Sequence, residues 1–325
     1  MMINYKLKFV SLEERLKNLK DLGLKIDSIK NAKTYINEIG YHKLFNCYKR
    51  PFWNNEQNKF KEGVTIGDLY QLYVLDSSLK SLLLNSALTL EVAVKVQMAE
   101  VFSEYMGLDV NDYLDDKYFR DIKKNDKIIK YSDFKESIYK VLERNQTQRF
   151  IKYYKTKYNQ IPFWALSYIL SFGEINALLK HLKVGYTIHV SKFWNQNHKF
   201  LISALGIVRM FRNACAHNEP VYSFKTIGYR LNSESIKDYL EYFNIDELDN
   251  NNHFTKGTND LLAIFFIFKI MLPKNKFKEF VDQYFSIVKN FEKKVKSEFS
   301  SDIIARLNVP NNIRDLVGMD VIKNY

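Results

Sequence analysis

Only two cysteines occur in 325 residues, Cys47 and Cys215. That excludes a disulfide framework and fits a reducing compartment. Five prolines and eleven glycines are too few for the many tight turns of a sandwich or barrel, so long helices are favoured. The N-terminal stretch Met1 to Val10 has no apolar core of the kind a secretory leader requires. The longest apolar run, Leu261 to Leu272, contains Lys269. It is too short to cross a bilayer, so a buried helix is expected and no membrane contact. A Gly-rich phosphate loop and a Walker-type lysine are both absent, which argues against an ATP-driven mechanism. Cys215 and His217 have no further Cys/His pair at ligand spacing, so neither a metal nor a cofactor is expected. Together these absences predict a soluble cytoplasmic protein.

What the chain does have is positive charge. Its formal net charge is +12 and its pI about 9.3, a balance that favours polyanionic partners. The charge is uneven: Lys117 to Lys157 holds 13 Lys/Arg against 5 Asp/Glu. Tyr118, Tyr131, Tyr139, Tyr153, Tyr154 and Tyr158 are interleaved there. Cations that meet phosphates and rings that stack on bases suit an RNA groove. The alternative is a solvated helix whose tyrosine face lies in the core, and that is the better account of most of those rings.

Helical periodicity dominates the pattern. A first helix is expected from Ser11 to Lys20, with Ser11 as N-cap and Glu14 completing a capping box. A second runs from Ile26 to Ile39 and ends at Gly40. Tyr41 to Pro51 is aromatic and basic, and Trp53 to Gly63 reads as a polar loop. The clearest helix runs from about Ile66 to Met106, with Leu72, Leu75, Leu79, Leu82, Leu83, Leu90, Val94, Met98 and Val101 as its apolar stripe. Glu91 and Lys95 form an i,i+4 pair on it, worth a few tenths of a kcal/mol if exposed. A turn region at 107–117 precedes a basic helix reaching about Tyr158. Pro162 opens the next helix, Gly173 breaks the run, and Glu174 to Leu182 resumes it. Lys199 to His217 follows, and two more helices are expected near 259–272 and 275–299. The predicted fold is all-α, divided into an N-terminal helical segment (1–65), a helical core (66–243), a linker (244–258) and a C-terminal helical segment (259–325).

Chemistry concentrates near the end of one helix, where Arg212, Asn213 and His217 fall together. Asn213 and His217 are four residues apart and share a face. Arg209 lies one turn earlier on that stripe, and the long stem of Arg212 lets its head swing toward it. Pro220 cannot continue a helix, which sets His217 in or just past the last turn. A helix C-terminus favours the protonated imidazole, and Glu219 beside it acts in the same sense. The plain alternative is a basic helix end capped by a histidine.

The Arg-Asn pair four residues before a His resembles the signature of the HEPN superfamily of small helical domains. Other segments, in order over roughly residues 12–225, resemble the Abi-like (abortive-infection) family within it. They are Tyr41-His42-Lys43-Leu44 with Tyr48 and Pro51-Phe52; Phe60, Gly63 and the run Leu69, Tyr73, Asp76, Leu79; Leu90-Glu91-Val92-Ala93-Val94-Lys95; Ile161-Pro162-Phe163-Trp164 with Phe172-Gly173; and Arg212 to His217. Lys43 and Lys95 stand where that family usually has Arg, which removes the planar fork. The resemblance implies a HEPN-like helical bundle with additional N- and C-terminal helices. It also implies a metal-independent endoribonuclease toxin of phage defence or a toxin–antitoxin pair, in some members restrained by a small RNA. Arg212, Asn213 and His217 would be catalytic. Arg209, Lys43, Lys49, Arg50, Lys95, Arg144, Arg149, Lys152 and Lys155 would bind RNA. Because one histidine does not easily serve as both acid and base, and no second Arg-x(4–6)-His occurs, a homodimer with a composite site is expected. The rival expectations are a non-catalytic RNA-binding module and a helical interaction protein that senses a phage component.

Overall fold

A computed structural model describes residues 9–124 and 126–321; residues 1–8, most of the segment read above for a leader, lie outside it. Among the described residues the chain is all-α, with two small hairpins. The elements are α1 (Leu12–Asp21), α2 (Ile29–Ile39), α3 (Tyr41–Tyr48), β1 (Trp53–Asn54), β2 (Lys59–Phe60), α4 (Ile66–Tyr105), α5 (Val110–Tyr113), β3 (Ile122–Lys124), β4 (Lys127–Ile129), α6 (Tyr131–Arg144), α7 (Arg149–Tyr158), α8 (Phe163–Ile169), α9 (Phe172–His181), α10 (Val184–Lys192), α11 (His198–Ala216), α12 (Lys237–Tyr242), α13 (Leu261–Met271), α14 (Lys274–Glu292) and α15 (Ser297–Arg306). The expected capping box opens α1: Glu14 N–H donates to Ser11 Oγ at 3.2 Å, and Ser11 N–H donates to the Glu14 carboxylate at 3.0 Å.

Contacts group the chain into two compact units. One comprises Met1–Lys80 with Gln283–Leu307, the other Ser81–Asp282 with Asn308–Tyr325. In the first, Leu16, Ala32, Leu44, Tyr48, Phe52 and Leu72 are buried, and the Phe52 ring meets Phe299 edge-on at 5.7 Å. In the second, α11 packs against α9, α10 and α13. Every residue of α13 is buried, including Lys269, whose ammonium donates to the Met319 carbonyl. A helix that is apolar on all sides belongs in a core.

Several sequence expectations are corrected. The polar loop at 53–63 contains a hairpin, pairing Trp53 with Phe60 and Asn54 with Lys59. The basic stretch is not one helix: β3 and β4 pair Ile122 with Ile129, and α6 and α7 follow separately. Gly173 lies inside α9, and the break falls at Ser171, whose side chain and Glu174 form a second capping box. The helix expected at 275–299 is two, α14 and α15. Residues 244–258 lie within the second unit and are tied into it: Arg230 donates to the Phe254 carbonyl at 3.2 Å, and Leu231 N–H donates to Thr258 O at 2.7 Å.

All nine stripe residues of α4 are buried. This helix is also long and apolar enough to cross a membrane by length and composition, which exceeds the run read from sequence. Its stripe is used for packing, while Leu88, Val92 and Val96 are exposed, and four of its charges form two ion pairs. Asp76 accepts from Lys80 at 2.7 Å and from the Tyr48 hydroxyl at 2.9 Å, with Asp76 fully buried. Glu91 and Lys95 are 2.8 Å apart and mostly buried, so they are not the exposed pair considered above.

The shortage of glycine has a structural counterpart. Eight non-glycine residues among those described have positive φ, and seven are asparagines: Asn58, Asn159, Asn195, Asn218, Asn244, Asn252 and Asn308. Asparagine tolerates the left-handed region better than other side chains, so it ends helices here where glycine commonly would.

Candidate functional site

The last turn of α11 sets the geometry. His217 is the C-cap, and Asn218 follows with φ +57°. Asn218 N–H donates to Cys215 O at 3.1 Å and Glu219 N–H to Ala214 O at 2.8 Å. This is a complete Schellman motif, with Asn218 in the left-handed position and Pro220 just beyond it. Local sequence therefore decides where His217 sits: the backbone turns sharply there, and the imidazole is left exposed. Replacing Asn218 by alanine is expected to cost about 1 kcal/mol of stability because alanine resists this conformation. Asn218→Gly is expected to cost much less, and urea denaturation midpoints would separate the two.

Arg212 and Asn213 are half-buried one turn before. The Arg212 guanidinium makes a long hydrogen bond, 3.5 Å, to the Asn213 side-chain oxygen. Its Nε is buried and has no acceptor among the described residues. A buried N–H without a partner is costly. Cys215 packs in the core. Glu219 forms no ion pair with His217 among the described residues; its backbone N–H serves the helix cap instead.

Arg209 turns toward α9. Its side chain passes near Gly173, and its guanidinium lies 5.7 Å from the centre of the Tyr229 ring. Lys180 on α9 donates to the Tyr229 hydroxyl and stands 4.4 Å from that ring. Neither Lys180 nor Tyr229 was expected from the sequence. The available signal was Gly206, a glycine inside an apolar helix. A Cβ there would fall 2.2 Å from the Tyr229 ring.

The other basic residues divide into two groups. Lys43 approaches the buried Asp76–Lys80 pair, and burial, with Lys80 adding to it, holds its ammonium below the usual lysine value. Lys95 is held by Glu91 and donates to the Leu170 carbonyl at 3.0 Å. Lys49 stacks on Trp53 at 4.8 Å, and Arg50 is exposed. Arg144, Arg149, Lys152 and Lys155 are exposed on and beside α7.

The tyrosines of the basic stretch divide too. Tyr131 is core, stacked on Phe119 at 4.1 Å. Tyr153 and Tyr158 are about half exposed, with Lys157 within 5.3 Å of both rings. Tyr168 at the end of α8 is 77% exposed and lies 5.4 Å from Phe150. Rings and cations therefore share the α7 surface, an arrangement that suits unstacked bases.

Residues 34–223 match the family described as Abi-like protein, more than half of the chain. The chain belongs to the Abi-like protein family. No curated protein and no solved structure matches it. Membership points to abortive infection, a form of phage defence. The Abi-like region takes in α3 through α11 together with the Schellman turn after His217. Tyr229 and α12 to α15 lie beyond it.

Proposed function

We propose that this Abi-like chain is a metal-independent HEPN-type endoribonuclease that acts in abortive infection or as a toxin restrained by a small RNA. The observation that supports it most is the end of α11. There an exposed imidazole stands one turn from a half-buried guanidinium, and that guanidinium has a buried N–H with no acceptor. The terminal N–H groups of this guanidinium would hold a phosphodiester oxygen, and the arginine opposes the charge that builds on the phosphorane. The RNA 2′-oxygen attacks phosphorus, the 5′-oxygen leaves, and a 2′,3′-cyclic phosphate results. His217 takes or delivers the proton, as an imidazole can near neutral pH. Asn213, which accepts from Arg212, positions the guanidinium.

A single histidine supports a second part of the proposal, a homodimer in which two α11 ends share one site. The exposed rings and cations of α7 would grip the flanking strand. The test is incubation of the purified full chain with cellular RNA in EDTA. Cleavage is expected. Intact RNA that stays bound would instead favour a non-catalytic RNA-binding module, and RNA neither cut nor bound would favour a helical sensor of a phage component.

A further inference from the structure

Next to the motif, Arg209 of α11 belongs to a second group of polar side chains that the cleavage chemistry does not use. Gly206 leaves bare backbone at one turn, and the Tyr229 ring lies against it. That contact fixes the phenol between Lys180 of α9 and Arg209 of α11. Residues 49 apart in sequence, Lys180 and Tyr229, are thus brought into hydrogen bond contact. Among the described residues neither Lys180 nor Arg209 has an ion-pair partner. Glu174, on the same helix as Lys180, is engaged in capping Ser171 N–H at 2.7 Å. Two half-buried cations gathered round one phenol repel each other unless an anion joins them. The phenol itself responds: burial pushes its pKa up, but Lys180 and Arg209 more than offset this and bring it below the usual tyrosine value.

We infer that Lys180, Arg209 and Tyr229 form a phosphate-binding subsite separate from the scissile position, taking a flanking phosphodiester of the RNA strand. Its place follows from helix geometry. Arg209 precedes Asn213 by one turn and His217 by two, so the subsite lies about 6 Å and about 12 Å from them along the axis. The separation from His217 suits a neighbouring phosphate on the same strand better than the reacting one. Lys180 supplies a point charge, Arg209 a planar fork, and Tyr229 a hydroxyl donor once Lys180 turns to the anion. The inference rests on the reading of the chain as an RNA-binding nuclease.

The experiment is fluorescence anisotropy of a labelled 2′-O-methyl oligoribonucleotide, which has no free 2′-hydroxyl to react, with the full chain at graded salt. The Lys180→Gln/Arg209→Gln double variant is expected to bind tenfold to a hundredfold more weakly at low salt. Its salt slope should flatten by about 0.7, the share of one single-strand phosphate contact. Lys180→Arg should keep the wild-type slope. Tyr229→Phe keeps the ring on Gly206 and should lose only a few-fold in affinity. A double variant that melts like wild type and keeps its affinity and slope overturns the subsite.

If wild type binds no oligonucleotide, the nuclease reading fails by itself. The subsite is then judged by ³¹P line broadening of inorganic phosphate. Broadening by wild type and not by the double variant retains a site for free phosphate, and equal spectra overturn it.

Discussion

Replacing His217 by alanine is expected to lower RNA cleavage by about 10²–10⁴-fold, the usual worth of general acid–base help. The fold should be unaffected. The imidazole is exposed, and the bonds that close the helix at this position are backbone bonds, from His217 N–H to Asn213 O at 2.8 Å and from Glu219 N–H to Ala214 O at 2.8 Å. Melting temperature and affinity for an uncleavable RNA should therefore stay close to wild type while the rate collapses. Single-turnover cleavage in EDTA measures this, and a variant that cuts at the wild-type rate removes His217 from the chemistry. In the proposed dimer a mixed pair of wild type and His217→Ala brings one imidazole to the shared site instead of two, so mixing the two should lower the rate below the fraction of wild-type chains present.

The second large effect is on stability and lies in the other unit. Asp76→Ala should destabilise the protein by about 3–5 kcal/mol, since it leaves the ammonium of Lys80 buried without its carboxylate. The same change takes the acceptor from the Tyr48 hydroxyl, whose pKa burial and Asp76 raise well above the ordinary tyrosine value. Asp76 is fully buried and Lys80 nearly so, so water does not replace the lost partner. Urea denaturation followed by circular dichroism reads the effect. A loss below about 1 kcal/mol would mean that the pair contributes little to holding α3 against α4. Replacing both residues with apolar ones of similar size should recover much of the loss, because a buried ion pair gains little over good packing.

Periodicity carried the helical architecture far. The nine-residue stripe of α4 and its Ile66 start were readable because a long amphipathic pattern has few alternatives. The Ser11–Glu14 box was readable because capping is local. The end of α11 was readable in outline from Pro220, although the residue that makes the turn is Asn218. The hairpins at Trp53 and Ile122 were not readable, since two or three paired residues leave no alternation to detect. Gly173 misled because glycine often breaks helices; here it sits in the first turn of α9, and Ser171 supplies the boundary.

The site shows the same split. The grouping of Arg212, Asn213 and His217 at one helix end was legible because they lie within one turn and a half of one helix. The roles of Lys43 and Lys95 were not, because their acidic neighbours Asp76 and Glu91 are buried by tertiary packing that a charge count does not see. Lys180 and Tyr229 were invisible for a related reason: a long-range contact across a glycine face joins them, and only the interior Gly206 hinted at it.

In the proposed mechanism the end of α11 directs attack by an RNA 2′-hydroxyl on the adjacent phosphate. Mass analysis of the 3′ ends produced by the full chain in EDTA tests it most directly. Fragments ending in 2′,3′-cyclic phosphate, with 5′-hydroxyl partners, are the predicted result. Fragments ending in 3′-hydroxyl with 5′-phosphate partners would contradict it.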